Sequence, residues 1–455
     1  MWLPLTEAAA IRSNTGHVGN LLVARPPCRL GFCLRVSIRA NAPSTPCSHP
    51  RQVWTEGAGP NEIRVQIFAY RKAMRATNAM IENEEESAFR QSCRRFAEQK
   101  IAPLVEEAER TGVYPLHLRQ QAGEAGFLAI TAPQQYGGAG AGYVFQCIAV
   151  EEFARVCAGL ATGLGGLAQR LLPSIGTPDQ IQRYYLPTIQ GKMAGAFAMT
   201  EPDAGSDVLA MKGRARRTQN GWHIRASKMY ITGAPYSDYL VVVVYTNPES
   251  RSRGVSLFIV DSKTPGVEIQ KMNKLGHRSM ETGMVFLDCE VPESALLGKE
   301  GDGMRNVMSV LESGRLTHAA RSLGVARACY ELALEQAATR KAFGQPINQF
   351  QSIHFRLSRM CIELRSAKLH VYETAARYDK GHKVHLEASM AKVVASEAAI
   401  HLADDAMQIF GGQGYIMESP IQRFFRDARL YPISEGTTEI QLRTIAKEAG
   451  IVPSL

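Results

Sequence analysis

Met199-Thr200-Glu201-Pro202-Asp203-Ala204-Gly205-Ser206-Asp207 marks where the chain changes character. Before it, apolar residues recur at three- and four-residue steps. From Glu84, the series Phe89, Cys93, Phe96, Ala97, Ile101, Leu104 and Val105 has the spacing of one helix face. Further helices are expected over residues 115–125, 143–155 and 158–172, with another starting at Pro178 and a glycine-rich turn at 137–142. From Ala196, short β-rich runs take over at 222–224, 229–232, 239–245, 255–260, 267–269 and 284–291. Gly, Pro, Asn and Asp separate them, the pattern of a small antiparallel barrel or sandwich. From Asp302, long alanine-rich helices resume at about 302–338, 349–380, 385–410 and 437–449, as in a helical bundle. The expected fold is therefore α+β and multi-domain: residues 80–195 helical, 196–300 a middle β-domain and 301–455 a C-terminal helical bundle.

The chain has 455 residues, 45% hydrophobic and 21% charged, and a net charge of +9. These are the proportions of a soluble globular protein too long for one simple core. The modest surplus of positive charge suits a polyanionic small ligand such as a coenzyme. It does not suit a nucleic-acid binder, because no Lys/Arg block with interleaved aromatics occurs. The apolar run Val241 to Val244 is too short to span a membrane and suits a buried strand. Nine scattered Cys without a CxxC pair read as buried free thiols in a reducing compartment.

Residues 1–79 read as a leader outside the fold. The first sixty hold six Arg, no Lys and only Glu7 and Glu56 as acids. One reading is a mitochondrial transit peptide, which would place the protein in the matrix. The other is an extension preceding a true start at Met74 or Met80, with a cytoplasmic protein. The clusters at Pro26-Pro27, Pro43, Pro46 and Pro50 break any long amphipathic helix and favour the second.

Several stretches can carry chemistry. In the opening loop, Gly205 permits close backbone approach and Thr200 and Ser206 supply hydroxyls; it can wrap a phosphate or ring edge, or be a turn between domains. Tyr230 and Thr232 share one strand face and could flank a flat cofactor, or Tyr230 could be a core residue. Arg340, before Phe343 and Gln351, could pair a pyrophosphate or end a basic helix. Gln408-Ile409-Phe410-Gly411-Gly412 can present amides to phosphate, and Arg423, Arg426 and Asp427 read as a surface ion pair. Pro432-Ile433-Ser434-Glu435-Gly436-Thr437-Thr438-Glu439-Ile440-Gln441 reads either as a capped surface helix with a solvated Glu or as an anion or flavin site.

Taken in order and spacing over about Met80 to Gly450, these motifs resemble those of the acyl-CoA dehydrogenase family. The resemblance implies an N-terminal helical domain, a middle β-domain and a C-terminal four-helix bundle. It also implies FAD, an acyl-CoA substrate, a homotetramer and electron-transfer flavoprotein as acceptor. Thr200 and Ser206 would contact the flavin, Ser206 also lying near the CoA pantetheine, and Tyr230 and Thr232 would sit against the isoalloxazine. Arg340, Phe343 and Gln351 would bind FAD across a subunit interface, with Gln408, Gly411 and Gly412 from a neighbour. Thr437 and Glu439 would meet the adenosine or phosphate side. Glu312 and Arg315 match a segment that contacts CoA; Glu435 matches the catalytic base and Gly436 the residue beside the thioester.

A base for the α-proton must stand within hydrogen-bond reach, and desolvation must lift its pKa toward the working range. Some family members carry the base on the helix of Glu312 and Arg315, but the corresponding position here is Gly314. Two features depart from the pattern. Ser434 stands where many members have an aromatic residue, which would reshape the acyl pocket. Arg170, in an apolar helical stretch, could meet a distal carboxylate or reach the surface. An oxidase of the same fold and a flavin-binding protein without turnover are the alternative functions.

Overall fold

The computed structural model describes residues 82–452; the leader and Cys28, Cys33 and Cys47 lie outside the described residues. Helix α1 (Glu84–Phe96) starts from a capping box. Asn83 Oδ1 accepts from Glu86 N at 2.9 Å, and the Glu86 carboxylate accepts from Asn83 N at 3.0 Å. There follow α2 (Val105–Thr111), α3 (His117–Glu124), α4 (Tyr143–Val156), α5 (Ala158–Thr162) and α6 (Leu167–Ile175). The single helix expected over 158–172 is broken into α5 and α6, because Gly163, Gly165 and Gly166 fall between them.

Helix α4 buries Glu151 and Glu152 along with its apolar face. These acids are neutralised from two other elements. Arg90 of α1 donates to Glu151 at 2.9 Å and Glu152 at 2.8 Å, and to Glu82; Arg327 donates to the same two acids at 2.9 and 2.7 Å. Burial alone would raise the Glu151 carboxyl, yet Arg90 and Arg327 hold it down to about 2. Breaking such a cluster is costly, since the remaining partner is stranded in a low dielectric.

The middle region is one eight-stranded sheet. Its strands are β1 (Gly195–Ala198), β2 (Arg214–Thr218), β3 (Gly221–Thr232), β4 (Tyr239–Tyr245), β5 (Val255–Asp261), β6 (Val267–Lys271), β7 (Thr282–Pro292) and β8 (Leu296–Leu297). The order is β6-β7-β3-β2-β4-β5-β8, with β1 also on β4. The sheet is mixed: β1 and β2 run parallel to β4, and the remaining pairs are antiparallel. Every residue of β4 is buried, as its unbroken apolar sequence requires.

The C-terminal region holds α7 (Gly303–Thr339), α8 (Gln351–Asp379), α9 (His385–Phe410), α10 (Pro420–Ala428) and α11 (Thr438–Glu448). A small hairpin, β9 (Lys341–Ala342) with β10 (Gln345–Pro346), joins α7 to α8. Helix α7 packs most extensively on α9 and on α4. Alanines such as Ala319, Ala320, Ala326, Ala395, Ala399 and Ala403 are buried, letting the helix backbones approach closely. Cys93, Cys147, Cys157, Cys289 and Cys329 are buried free thiols, as expected; Cys361 is partly exposed. Among the described residues, no helix is long and apolar enough to cross a membrane.

Candidate active site

The loop between α10 and α11 carries two successive residues in left-handed backbone conformation, Glu435 (φ 53°) and Gly436 (φ 89°). Glycine adopts this readily; for the glutamate it costs about 1 kcal/mol or more. Three hydrogen bonds hold the strained pair. Gln441 Nε2 donates to the carbonyls of Glu435 and Gly436, both at 3.2 Å, and Lys392 Nζ donates to Gly436 O at 2.7 Å. The helix cap is Thr437, whose hydroxyl accepts from Ile440 N at 3.4 Å. Ser434 instead donates to Leu430 O at 3.3 Å and stands 3.3 Å from His318 Nε2.

The Glu435 side chain turns inward onto α7. It is 26% exposed, yet its Oε2 is buried and has no hydrogen-bond partner. A Cβ added to Gly314 would stand 2.9 Å from that oxygen. The carboxylate therefore occupies the notch that the missing side chain leaves. On the other side, His318 Nδ1 is 3.9 Å from Glu435 Oε1. His318 Nε2 lies 3.1 Å from Tyr431 O, a pure acceptor, so Nε2 carries the hydrogen and the Nδ1 lone pair faces the carboxylate. Burial keeps His318 well below its usual pKa, with Arg321 and Lys392 adding to the effect. Burial likewise raises Glu435, against the opposing charges of Arg321, Arg170, Lys392 and Arg315. No Arg or Lys among the described residues comes within ion-pair distance of it. A partly desolvated carboxylate with a free buried oxygen is equipped to take a proton from a ligand placed against it.

A second group lies at the bulge in β3. The β3–β7 register shifts between Lys228 and Ile231, and Tyr230 sits there with φ 61°. The regular strand expected there is thus interrupted, but Tyr230, 62% exposed, and Thr232 still both present to solvent. Met229 N donates to Thr200 O at 2.8 Å, which fixes the 199–207 loop beside the bulge. Lys228 anchors the same loop from within, donating to Glu201 Oε1 at 2.8 Å, Val243 O at 2.6 Å and Met199 O at 3.1 Å. Ser206 is exposed in that loop.

Glu312 and Arg315 point toward the start of α9. The Glu312 carboxylate is 2.7 Å from His385 Nδ1, and Arg315 Nη1 donates to Ser389 Oγ at 3.3 Å. Arg340, Phe343, Gln351, Gln408, Gly411 and Gly412 are all exposed, at the opposite end of α7 and α9. Arg340 is 26 positions beyond Gly314 on one helix, about 39 Å along its axis. The two groups cannot meet around one small molecule within a single chain. Thr437 and Glu439 belong with the Glu435 loop.

Two expectations are corrected. Arg170 does not reach for the surface: its Nη2 donates to Thr317 Oγ1 at 2.8 Å, beside Gly314 and Glu435. Arg423, Arg426 and Asp427 do not form a surface pair. Asp427 is wholly buried and accepts from His277 N at 2.5 Å, Arg423 donates to Val156 O, and Arg426 donates to Leu275 O. Burial pushes Asp427 up to about 7. His318, Arg321, Lys392 and Gln441 were not anticipated. For Lys392 a signal existed: it stands alone as a cation among Ala388, Ala391, Ala395 and Ala398, on a face otherwise fit only for burial.

Three family models match the chain: acyl-CoA dehydrogenase N-terminal domain over residues 83–192, middle domain over 196–289 and C-terminal domain over 301–450. A mitochondrial 2-methylacyl-CoA dehydrogenase of Solanum tuberosum is 37% identical over 82% of this chain and 92% of its own length. The solved butyryl-CoA dehydrogenase of Megasphaera elsdenii superposes with a TM-score of 0.78 at 33% identity, over 82% of this chain and 99% of that one. A glutaryl-CoA dehydrogenase of Mycobacterium smegmatis, solved in complex with FADH2, has a TM-score of 0.78 at 26% identity, over 83% of this chain and 97% of that one.

Proposed function

This chain belongs to the acyl-CoA dehydrogenase family, and on that premise we propose that it converts an acyl-CoA thioester to its trans-2-enoyl-CoA with Glu435 as the α-proton base. The observation that carries this reading is the Glu435 carboxyl itself. It is held on a strained backbone by Gln441 and Lys392, seated over Gly314, with a buried oxygen that no protein group satisfies. Gly436 lies beside the thioester, and the Glu435 N–H is the protein donor available to its oxygen as negative charge develops there. Glu312 and Arg315 approach CoA from α7, beside the start of α9, and Ser206 approaches its pantetheine arm.

The family is FAD-dependent, and the residues present fit that group. Tyr230 turns an exposed ring out of the bulge, with the exposed Thr232 two residues on and the Thr200 backbone bonded to the neighbouring Met229. At the far end, Gly411 and Gly412 leave open space where any Cβ would stand, and Gly411 has φ 61°. Bare backbone of that kind suits a pyrophosphate. When bound, FAD supplies the hydride acceptor for the β-hydrogen, its N5. Thr200, Ser206, Tyr230 and Thr232 hold the ring region, and Thr437 and Glu439 the adenosine or phosphate side. Arg340, Phe343 and Gln351, with Gln408, Gly411 and Gly412, serve a cofactor in a neighbouring subunit, because the length of α7 separates them from their own Glu435. The Phe343 ring, 95% exposed in one chain, is then covered in a homotetramer. Electrons leave to an electron-transfer flavoprotein.

The test is Glu435→Gln. It should keep the flavin spectrum and acyl-CoA binding while anaerobic bleaching slows by about 10²-fold or more. Wild-type bleaching in this variant would move the base elsewhere, with Glu312 next to be replaced.

A further inference from the structure

We propose that Arg321 and Arg170 form an anion subsite beside Glu435, and that the acyl group handled by this chain carries a carboxylate. The proposal rests on the dehydrogenase reading of Glu435 and names its substrate class.

Gly314, Thr317, His318 and Arg321 follow one another at helical spacing along one face of α7. Gly314 and His318 face Glu435, so Arg321 lies on the same face, about 10 Å further along the axis. Arg321 Nε is buried without a hydrogen-bond partner, and no carboxylate among the described residues pairs with its guanidinium. Arg170 comes to the same face of α7 from α6. Its Nη1 stands 3.7 Å from the place a Gly314 Cβ would take, and its one hydrogen bond is to Thr317 Oγ1. No carboxylate among the described residues is in ion-pair contact with Arg170 either.

A guanidinium stays charged at any physiological pH, so it cannot escape the cost of partial burial by losing its proton. The carboxylate whose charge both arginines oppose is Glu435. As the base it becomes protonated in every turnover, so it cannot be the standing counter-ion of two arginines. The missing charge must come from outside, and a planar fork matches a carboxylate in two parallel hydrogen bonds. The surroundings agree. The Tyr431 hydroxyl and His318 Nδ1 are buried and unpartnered nearby, and the small Ser434 side chain stands beside His318. An aliphatic tail would leave all of them unsatisfied.

The experiment compares succinyl-, glutaryl- and adipyl-CoA with butyryl-, valeryl- and hexanoyl-CoA on the FAD-loaded protein. It reads affinity by calorimetry and turnover by flavin bleaching. At least one carboxyacyl thioester should bind about tenfold tighter or more than its neutral counterpart. That ratio should fall to about one in Arg321→Met and in Arg170→Met, and Arg321→Lys should give an intermediate value. If every carboxyacyl thioester binds wild type no better than its neutral counterpart, the proposal is overturned, whether or not the variants fold. A ratio that survives in both folded methionine variants overturns it too. Bleaching by neutral thioesters alone removes the subsite and keeps the dehydrogenase. Preferential binding without bleaching keeps the subsite and removes the dehydrogenase reading, and no binding by any thioester removes both.

Discussion

Replacing Gly314 by alanine should slow flavin reduction while leaving the fold intact. The new Cβ would stand 2.9 Å from Glu435 Oε2, 3.3 Å from Leu167 Cδ2 and 3.7 Å from Arg170 Nη1. An ordinary contact begins near 3.4 Å, so the carboxylate must retreat by about 0.5 Å. It can do so cheaply, because it is the end of a flexible side chain. Misplacing a reacting group by about 1 Å costs on the order of 10² in rate, so a retreat of half that predicts a loss of about tenfold. Stability moves the other way: alanine in a helix interior is worth about 1 kcal/mol over glycine, which offsets the crowding of Leu167. Stopped-flow bleaching by a saturating acyl-CoA, with a parallel thermal melt, separates the two effects. The expected result is a slower rate with an unchanged or raised Tm. A wild-type rate would show that the working carboxylate does not lie over Gly314, and a slow rate with a much lowered Tm would show damage to the fold instead.

Lys392→Met removes one of the three bonds that hold the Glu435–Gly436 backbone; bleaching should slow by about tenfold, more than a surface Lys→Met control. Arg90→Met leaves the buried Glu151 and Glu152 one cation short, with Arg327 shared between them, and should cost about 3 kcal/mol in a denaturant titration, part of which Glu151→Gln in the same chain should restore. Asp427 has a folded-state pKa of about 7, above the ordinary 3.8, so its contribution is greatest at low pH and is lost as pH rises through 7. Going from pH 8 to pH 6, wild type should gain about 1.4 kcal/mol relative to Asp427→Asn, and parallel pH profiles of the two would refute the assignment.

The order of helical, β and helical regions was legible because the burial period itself changes along the chain. The face of Phe89, Cys93 and Phe96 repeats every three or four positions, whereas all seven residues of β4 are buried in succession. The parallel placement of β1 against β4 was not legible, since the two strands lie some forty residues apart and nothing local records their direction. Its own motif left Glu435 open between a solvated surface residue and a site, and only the ordered set of motifs singled it out. The left-handed backbone that aims it was not legible at all, because non-glycine residues there are the exception. His318, Arg321, Lys392 and Asp427 escaped for one reason. A polar side chain on a helix looks alike whether it meets water or a buried partner on another element. Only the packing of α7 against α9 and α10 decides between them.

The ion cluster at Arg90 ties α1, α4 and α7 together with a fixed tally of charge. Each element supplies what the others lack, so none of these positions can drift alone. A substitution at Arg90, Glu151, Glu152 or Arg327 leaves a surplus that its neighbours must cancel. Over evolutionary time these four positions should therefore change as a set, and their joint pattern of substitution would trace the seam between the N-terminal helices and the bundle.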